Sequence, residues 1–184
     1  MPDGAFEVSV LTPESQLLHV DARAVVLRSS DGDLTVLNGH TPLVTDVVPG
    51  RVRVDPAEGD PVHMAVHGGY LQVETGLGLD AGEARATRVT LLAGTAELAS
   101  QIDVARAERA RAEAEARVEE LRAAQGRAGT TAGGAGGAQG AGAGGTGGAQ
   151  GAGEGATAED LELSEAEAAL ERAKVRLEVA GAGS

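Results

Sequence analysis

Two short stretches carry residues whose types and spacing bear on chemistry. In IDVARA, residues 102–107, Asp103 and Arg106 stand three apart inside an alanine-rich, helix-prone run. That spacing places both on one helical face. Near the other end of the chain, in RAKVRL (172–177), Arg172 and Arg176 stand four apart, again on one face. Guanidinium groups held near one another favour an anion, and arginine matches a phosphate in bidentate fashion. If the two segments fold back on each other, Arg106 and the pair Arg172 and Arg176 converge. The same spacings also describe ordinary solvated ion pairs worth a few tenths of a kcal/mol. Glu165, Glu167 and Glu171 are available as partners for the second pair.

Other constellations carry less. His63 and His67 form H-x-x-x-H, but they lie in a strand-like stretch, where four residues span about 13 Å; they cannot share one metal ion there. Asp31-Gly32-Asp33 resembles the start of a calcium loop without its later ligands, so a hairpin turn is the expectation. Gly68-Gly69 reads as a bulge or a close approach of strands. The long glycine tract lacks G-K-[ST], and Lys174 is the chain's only lysine, which excludes a phosphate loop of the Walker type. No nucleophile is paired with a base in a recognisable arrangement. Catalysis by this chain alone therefore has little support.

The elements that must position these residues fall into two compositional zones. Over residues 1–93, short runs rich in Val, Leu and Thr alternate with turn residues: FEVSV, QLLHV, RAVVLRS, DLTVL, LVTDVV, RVRVD, VHMAV, YLQVE and RVTLLA, separated by TPES, SSDGD, NGHTP, VPG, DPAEGDP, GG and DAGEA. Many short strands at this spacing predict an antiparallel β-sandwich or flattened barrel. Its core must be built from Val, Leu and Ala, because Phe6 and Tyr70 are the only aromatics. Cysteine is absent, which excludes disulfides and thiolate chemistry. A net charge of −13 argues against nucleic acid and against direct docking on anionic lipid. No apolar run approaches the ~18 residues that span a bilayer. MPDGAFEVSVL lacks the basic start and long apolar stretch of a signal peptide. The expectation is an unexported protein that reaches a membrane only through a partner.

Residues 94–184 predict an antiparallel two-helix hairpin, giving an α+β fold overall. The first helix is expected over about 95–125, with Thr95 as N-cap and Glu97 in the first turn. Leu98, Ile102, Ala105 and Ala112 would form its narrow apolar seam. The second is expected over about 158–180, starting at Thr157 or at a Ser164/Glu167 capping box. Leu163, Ala166, Leu170, Ala173 and Leu177 make its seam. Residues 126–157 are almost wholly Gly, Ala, Thr and Gln and predict a long flexible connection. With so few large apolar residues, the hairpin should be weakly held and able to open.

This layout resembles the epsilon subunit of F-type ATP synthases. DGDLTVLNGHTPLVTDVVPGRVRV (31–54) is similar to that family's G-H-x-P-L signature followed by a short strand and P-G. VHGGYLQV (66–73) resembles its small-Gly-Gly-aromatic strand, IDVARA matches [I/L]-D-x-x-R-A, and RAKVRL is similar to its second-helix arginine pair. The resemblance covers residues 1–125 and about 159–180. It implies a non-catalytic rotor subunit on the cytoplasmic face of the cell membrane, bound to the gamma subunit and the c-ring. It implies a loop carrying Asp33 that faces the ring and a His40 near the gamma contact. It implies a hairpin that either folds on the sandwich or extends into the alpha/beta catalytic head and blocks hydrolysis. In some members the folded form binds ATP as a regulatory ligand, and no other cofactor is required. The residues carried over to that role are Glu97, Asp103, Arg106, Arg172 and Arg176. A free-standing ATP-sensing module is the alternative. The chain departs from the family pattern in its Gly/Ala tract, where a short turn is usual.

Overall fold

The computed structural model describes residues 4–76, 87–132 and 157–182, with the side chains of 128–132 excepted. The expected turn at residues 80–84 and most of the Gly/Ala tract, 133–156, lie outside the described residues. Contacts divide the chain into two units, residues 1–109 with 171–184, and residues 110–170.

Among the described residues of the first unit nine strands follow one another: β1 (Phe6–Leu11), β2 (Gln16–Ser29), β3 (Gly32–Leu37), β4 (Leu43–Val47), β5 (Gly50–Pro56), β6 (Val62–Val66), β7 (Gly69–Thr75), β8 (Thr87–Ala93) and β9 (Ala96–Leu98). Alternation of Val and Leu with polar residues sets one face of each strand inward. Phe6, Val8 and Val10 of β1 pack with Leu71 and Val73 of β7 and Val89 and Leu91 of β8. QLLHV and RAVVLRS are one 14-residue strand rather than two. Its first half pairs with β1 and its second half with β3 and β5, with a register shift between Ala22 and Ala24. This long strand joins the two layers, and the path β1-β8-β7-β4-β2 returns to β1. The β1–β8 pair runs parallel, whereas the other pairings are antiparallel.

One strand breaks the alternation. In β6, Met64, Ala65 and Val66 are all buried. Met64 and Val66 enter the sandwich core, while Ala65 packs in a separate cluster with Val175 and Val179. By the period of two, Ala65 faces away from the core; the end of the last helix covers that outer face.

The expected start of the first helix at Thr95 is corrected. Ala96–Leu98 form β9, which pairs Met64 with Leu98, Ala65 with Glu97 and Val66 with Ala96. A single 3₁₀ turn, Ala99–Gln101, follows, and α1 spans Val104–Ala132. The helix propensity of TAELASQ is worth a few tenths of a kcal/mol per residue. Satisfying the open edge of β6 supplies hydrogen bonds to groups that would otherwise be unpaired. Glu97 is therefore a strand residue. At the far end, α1 runs past residue 125 through Gly126 to Ala132; one glycine costs about 1 kcal/mol in a helix and does not end it by itself.

Asp103 is the residue before α1. Its Oδ1 accepts the backbone N–H of Arg106 at 2.9 Å, which makes it the N-cap. Asp103→Ala is expected to cost about 1 kcal/mol locally, speeding amide exchange in the first turn of α1 roughly fivefold. Exchange unchanged in that turn would refute the capping role.

The later start also moves the seam of α1. Ala105 and Ala112 are exposed, while Ala107, Ala114 and Val118 are buried. The last helix, α2, spans Ala158–Ala182. Thr157 caps it: Thr157 Oγ1 accepts from the N–H of Asp160, and Asp160 Oδ2 accepts from the N–H of Thr157. This reciprocal pair is a capping box with Asp in the place of Glu. Within the second unit, Arg117 pairs with Glu162 at 2.9 Å and Arg122 with Glu167 at 2.7 Å. Gln125, late in α1, donates to Asp160 in the first turn of α2, as an antiparallel pair requires.

Candidate functional site

The site lies in the first unit, where α2's end crosses the outer face of β6 and β9. Val175 and Val179 are buried on Ala65, with Ala99 and Ile102 packed against them. Burying two valines contributes roughly 3 kcal/mol, so apolar contact alone holds this end lightly. Beside the valines, Arg176 grips Glu97. Its Nε donates to Oε1 at 3.1 Å and Oε2 at 3.0 Å, and its Nη2 to Oε1 at 2.6 Å. Both side chains are about 30% exposed, 28% and 32%. A half-buried bidentate pair of this kind exceeds the ~0–1 kcal/mol of a surface ion pair.

Electrostatics extend the cluster. The hydrogen bonds from Arg176 hold the Glu97 carboxyl below its usual 4.5, and the charges of Arg176, His67 and Arg106 act in the same direction against the effect of burial. His67 follows β6 directly, and its N–H donates to the carbonyl of Thr95. Burial lowers its imidazole below the ordinary 6.5; Arg176 and Arg172 lower it further, while Glu97 raises it. Arg106 and Arg172 are exposed, and among the described residues neither side chain enters an ion pair. On the other flank of α2, Glu171 and Glu178 share a cleft of about 450 Å³ with Arg28, Arg51 and Arg53 of the sandwich.

Chemically, the cluster presents one carboxylate already bound by an arginine fork and two free guanidiniums close by. That set suits an anion with several oxygens. Four of the five residues singled out in the sequence thus gather here: Glu97, Arg106, Arg172 and Arg176. Asp103 does not join them through its side chain, which is spent on its own helix.

Comparison with known proteins gives the chain a family. Residues 5–77 match the family described as ATP synthase, Delta/Epsilon chain, beta-sandwich domain. The ATP synthase epsilon chain of Desulforudis audaxviator is 39% identical over 118 residues, 64% of this chain and 77% of the relative. That of Priestia megaterium is 38% identical over 112 residues, 61% of this chain and 75% of the relative. The chain belongs to the ATP synthase epsilon chain family. A chain in the cryo-EM structure of the Euglena gracilis mitochondrial ATP synthase (OSCP, F1 and c-ring) has the same fold. It matches with a TM-score of 0.60 at 19% identity, over 98% of this chain and 83% of that one.

Within this chain, the two residues expected at rotor contacts lie outside the Glu97 cluster. Asp33 on β3 is largely exposed and sits 3.7 Å from Arg28. His40 stands in the turn after β3. Its Nδ1 lies 2.8 Å from the carbonyl of Thr41, and its own carbonyl accepts from Thr75 at 2.6 Å. Sequence reasoning considered His67 only as a metal ligand and missed its place beside the Glu97–Arg176 pair. The signal was present in VHMAVH: residues 63, 65 and 67 alternate with the core residues Met64 and Val66, so a histidine stripe faces whatever covers Ala65.

Proposed function

We propose that this epsilon chain is a non-catalytic rotor subunit of a proton-translocating F-type ATP synthase, with a helical pair that binds ATP and regulates hydrolysis. The sandwich, residues 1–93, binds the gamma subunit and rests on the c-ring, with Asp33 toward the ring and His40 near gamma. The chain thereby sits at the cytoplasmic face of the cell membrane, held there by the complex. An uncovered apolar row supports a protein partner. Tyr70 and Leu92 are cross-strand neighbours, 61% and 46% exposed, and Leu11 pairs with Leu92 on the other side. Exposed apolar patches of this kind mark interaction surfaces.

The observation that carries the regulatory reading is the convergence of Arg106 and Arg172 on the Glu97–Arg176 pair. In this reading the two free guanidiniums take phosphate oxygens, and Glu97 keeps Arg176 oriented. The arginines of α2 meet Arg106 only while the end of α2 is docked, so a bound nucleotide shifts the population toward the docked form. An undocked hairpin is free to extend toward the alpha and beta subunits.

Titration calorimetry of the intact chain with ATP tests this. Arg106→Ala and Arg172→Ala are each expected to weaken binding about tenfold, the equivalent of one charge-assisted hydrogen bond. Absence of heat with the unaltered chain ends the nucleotide reading. Co-purification with a gamma subunit tests the rotor reading separately. A chain that binds ATP yet stays apart from gamma would be a free-standing sensor instead.

A further inference from the structure

We propose that His67 is a proton-operated release for the end of α2: when its imidazole takes up a proton, residues 171–182 leave the outer face of β6 and β9. The inference concerns the docked end of α2 itself and stands whether or not a nucleotide binds beside it.

The argument starts from an unsatisfied group. Both ring nitrogens of His67 are buried and neither has a hydrogen-bond partner. A neutral imidazole carries one donor and one acceptor, and leaving buried polar atoms unpaired costs free energy. That cost persists only while something covers the ring. By the alternation along β6, His67 shares the face of Ala65, and Ala65 is sealed by Val175 and Val179 of α2.

The charged groups around the ring decide what a proton does. From α2 come Arg172 and Arg176, both cationic; from β9 comes Glu97, the one anion that acts on the ring. Glu97 is already committed to the fork of Arg176, and Arg106 of α1 also acts on it. On the remaining side is a cleft of about 490 Å³ walled by Leu11, Pro13, Tyr70 and Leu92, with no charged lining residue. A protonated ring has two N–H donors, and as the ring is placed neither nitrogen has an acceptor within hydrogen-bond reach among the described residues. It either faces Arg172 and Arg176 uncompensated or draws Glu97 away from Arg176. Both outcomes weaken the contact that holds α2 down. Once α2 departs, the ring meets water and its charge costs nothing.

The sign of the pH effect follows from the same contacts. The docked state holds the imidazole below 6.5, so below that pH the undocked state binds more protons. Docking is fully favoured above about 6.5, the ordinary value, and weakens as the pH falls toward the docked value. The Glu97 carboxyl, held below its ordinary 4.5, also loses docking as pH falls, but only below that value. As the pH falls, the His67 window therefore opens first.

The chain has no cysteine, so Lys174→Cys and Thr35→Cys in the full-length protein give a unique label pair. The undocked-to-docked ratio is expected to rise by up to about tenfold from about pH 7.5 to about pH 5.5, the most that one group with an ordinary value near 6.5 can deliver, at the expense of the docked label distance. In His67→Gln it should persist across that range. No pH response in the parent, or the same response in His67→Gln, overturns the proposal. NMR titration of the His67 ring in the full-length parent gives a second readout that needs no variant. A midpoint below the ordinary value is expected; a midpoint at or above it overturns the proposal even if His67→Gln does not fold.

Discussion

Gly69→Ala is expected to cost at least about 3 kcal/mol and to lower the unfolding temperature by roughly 10 °C. Gly69 opens β7 with φ at +154°, a region L-residues rarely adopt, and it pairs with Ala93 of β8 and Val47 of β4. A Cβ at this position would overlap the carbonyl oxygen of Leu92 and stand 2.9 Å from the Cα of Ala93. Both are backbone atoms of a strand fixed on two sides, by β7 and by β1; no rotamer change relieves the clash. Gly68→Ala is the control. It too has a positive φ, +96°, but its nearest neighbour would be the Val47 carbonyl at 3.8 Å, so only the backbone strain of about 1 kcal/mol remains. Thermal unfolding followed by circular dichroism ranks the two. Equal losses would mean that β7 and β8 do not approach as closely as described.

That glycine pair also marks how far the sequence was readable. Gly68-Gly69 announces a bulge or a close approach of strands, and Gly69 turns out to be the close approach; the strands themselves follow from their period of two. What failed to show was Thr95–Gln101. Its composition is that of a helix, and its strand conformation exists only because the edge of β6 lies beside it, a tertiary fact with no local trace. The same displacement hid the role of Asp103. Placed inside a helix it looks like half of an ion pair, whereas one residue outside it is a cap. The cluster around Glu97 was half legible. The arginine spacing pointed to convergence: Arg176 and Arg106 do act on Glu97, and Arg172 acts on His67 beside it. His67 was not seen because its meaning depends on which element lies over Ala65. Alternation predicts that some element does, but not that it is α2.

Val179→Asp should free the end of α2 while leaving the sandwich intact. Val179 is fully buried and packs with Val175 on Ala65. A carboxylate there would lose its hydration without a dedicated partner, a cost of several kcal/mol, which exceeds the roughly 3 kcal/mol that two valines contribute. The nearest cation on the same helix is Arg176, three residues back and well placed for an i,i−3 pair. Pairing with it would take Arg176 from Glu97 and remove the second contact as well. Both holds therefore fail together. Amides over residues 171–182 are expected to lose about a hundredfold in exchange protection. The unfolding temperature of the sandwich should move by no more than a few degrees, because the core around Phe6, Met64 and Leu91 is a separate cluster that Val179 does not enter. If instead the core melts along with the helix end, residues 171–182 are part of the sandwich's own fold. A subunit built in that way has no detachable arm for protons or nucleotides to control.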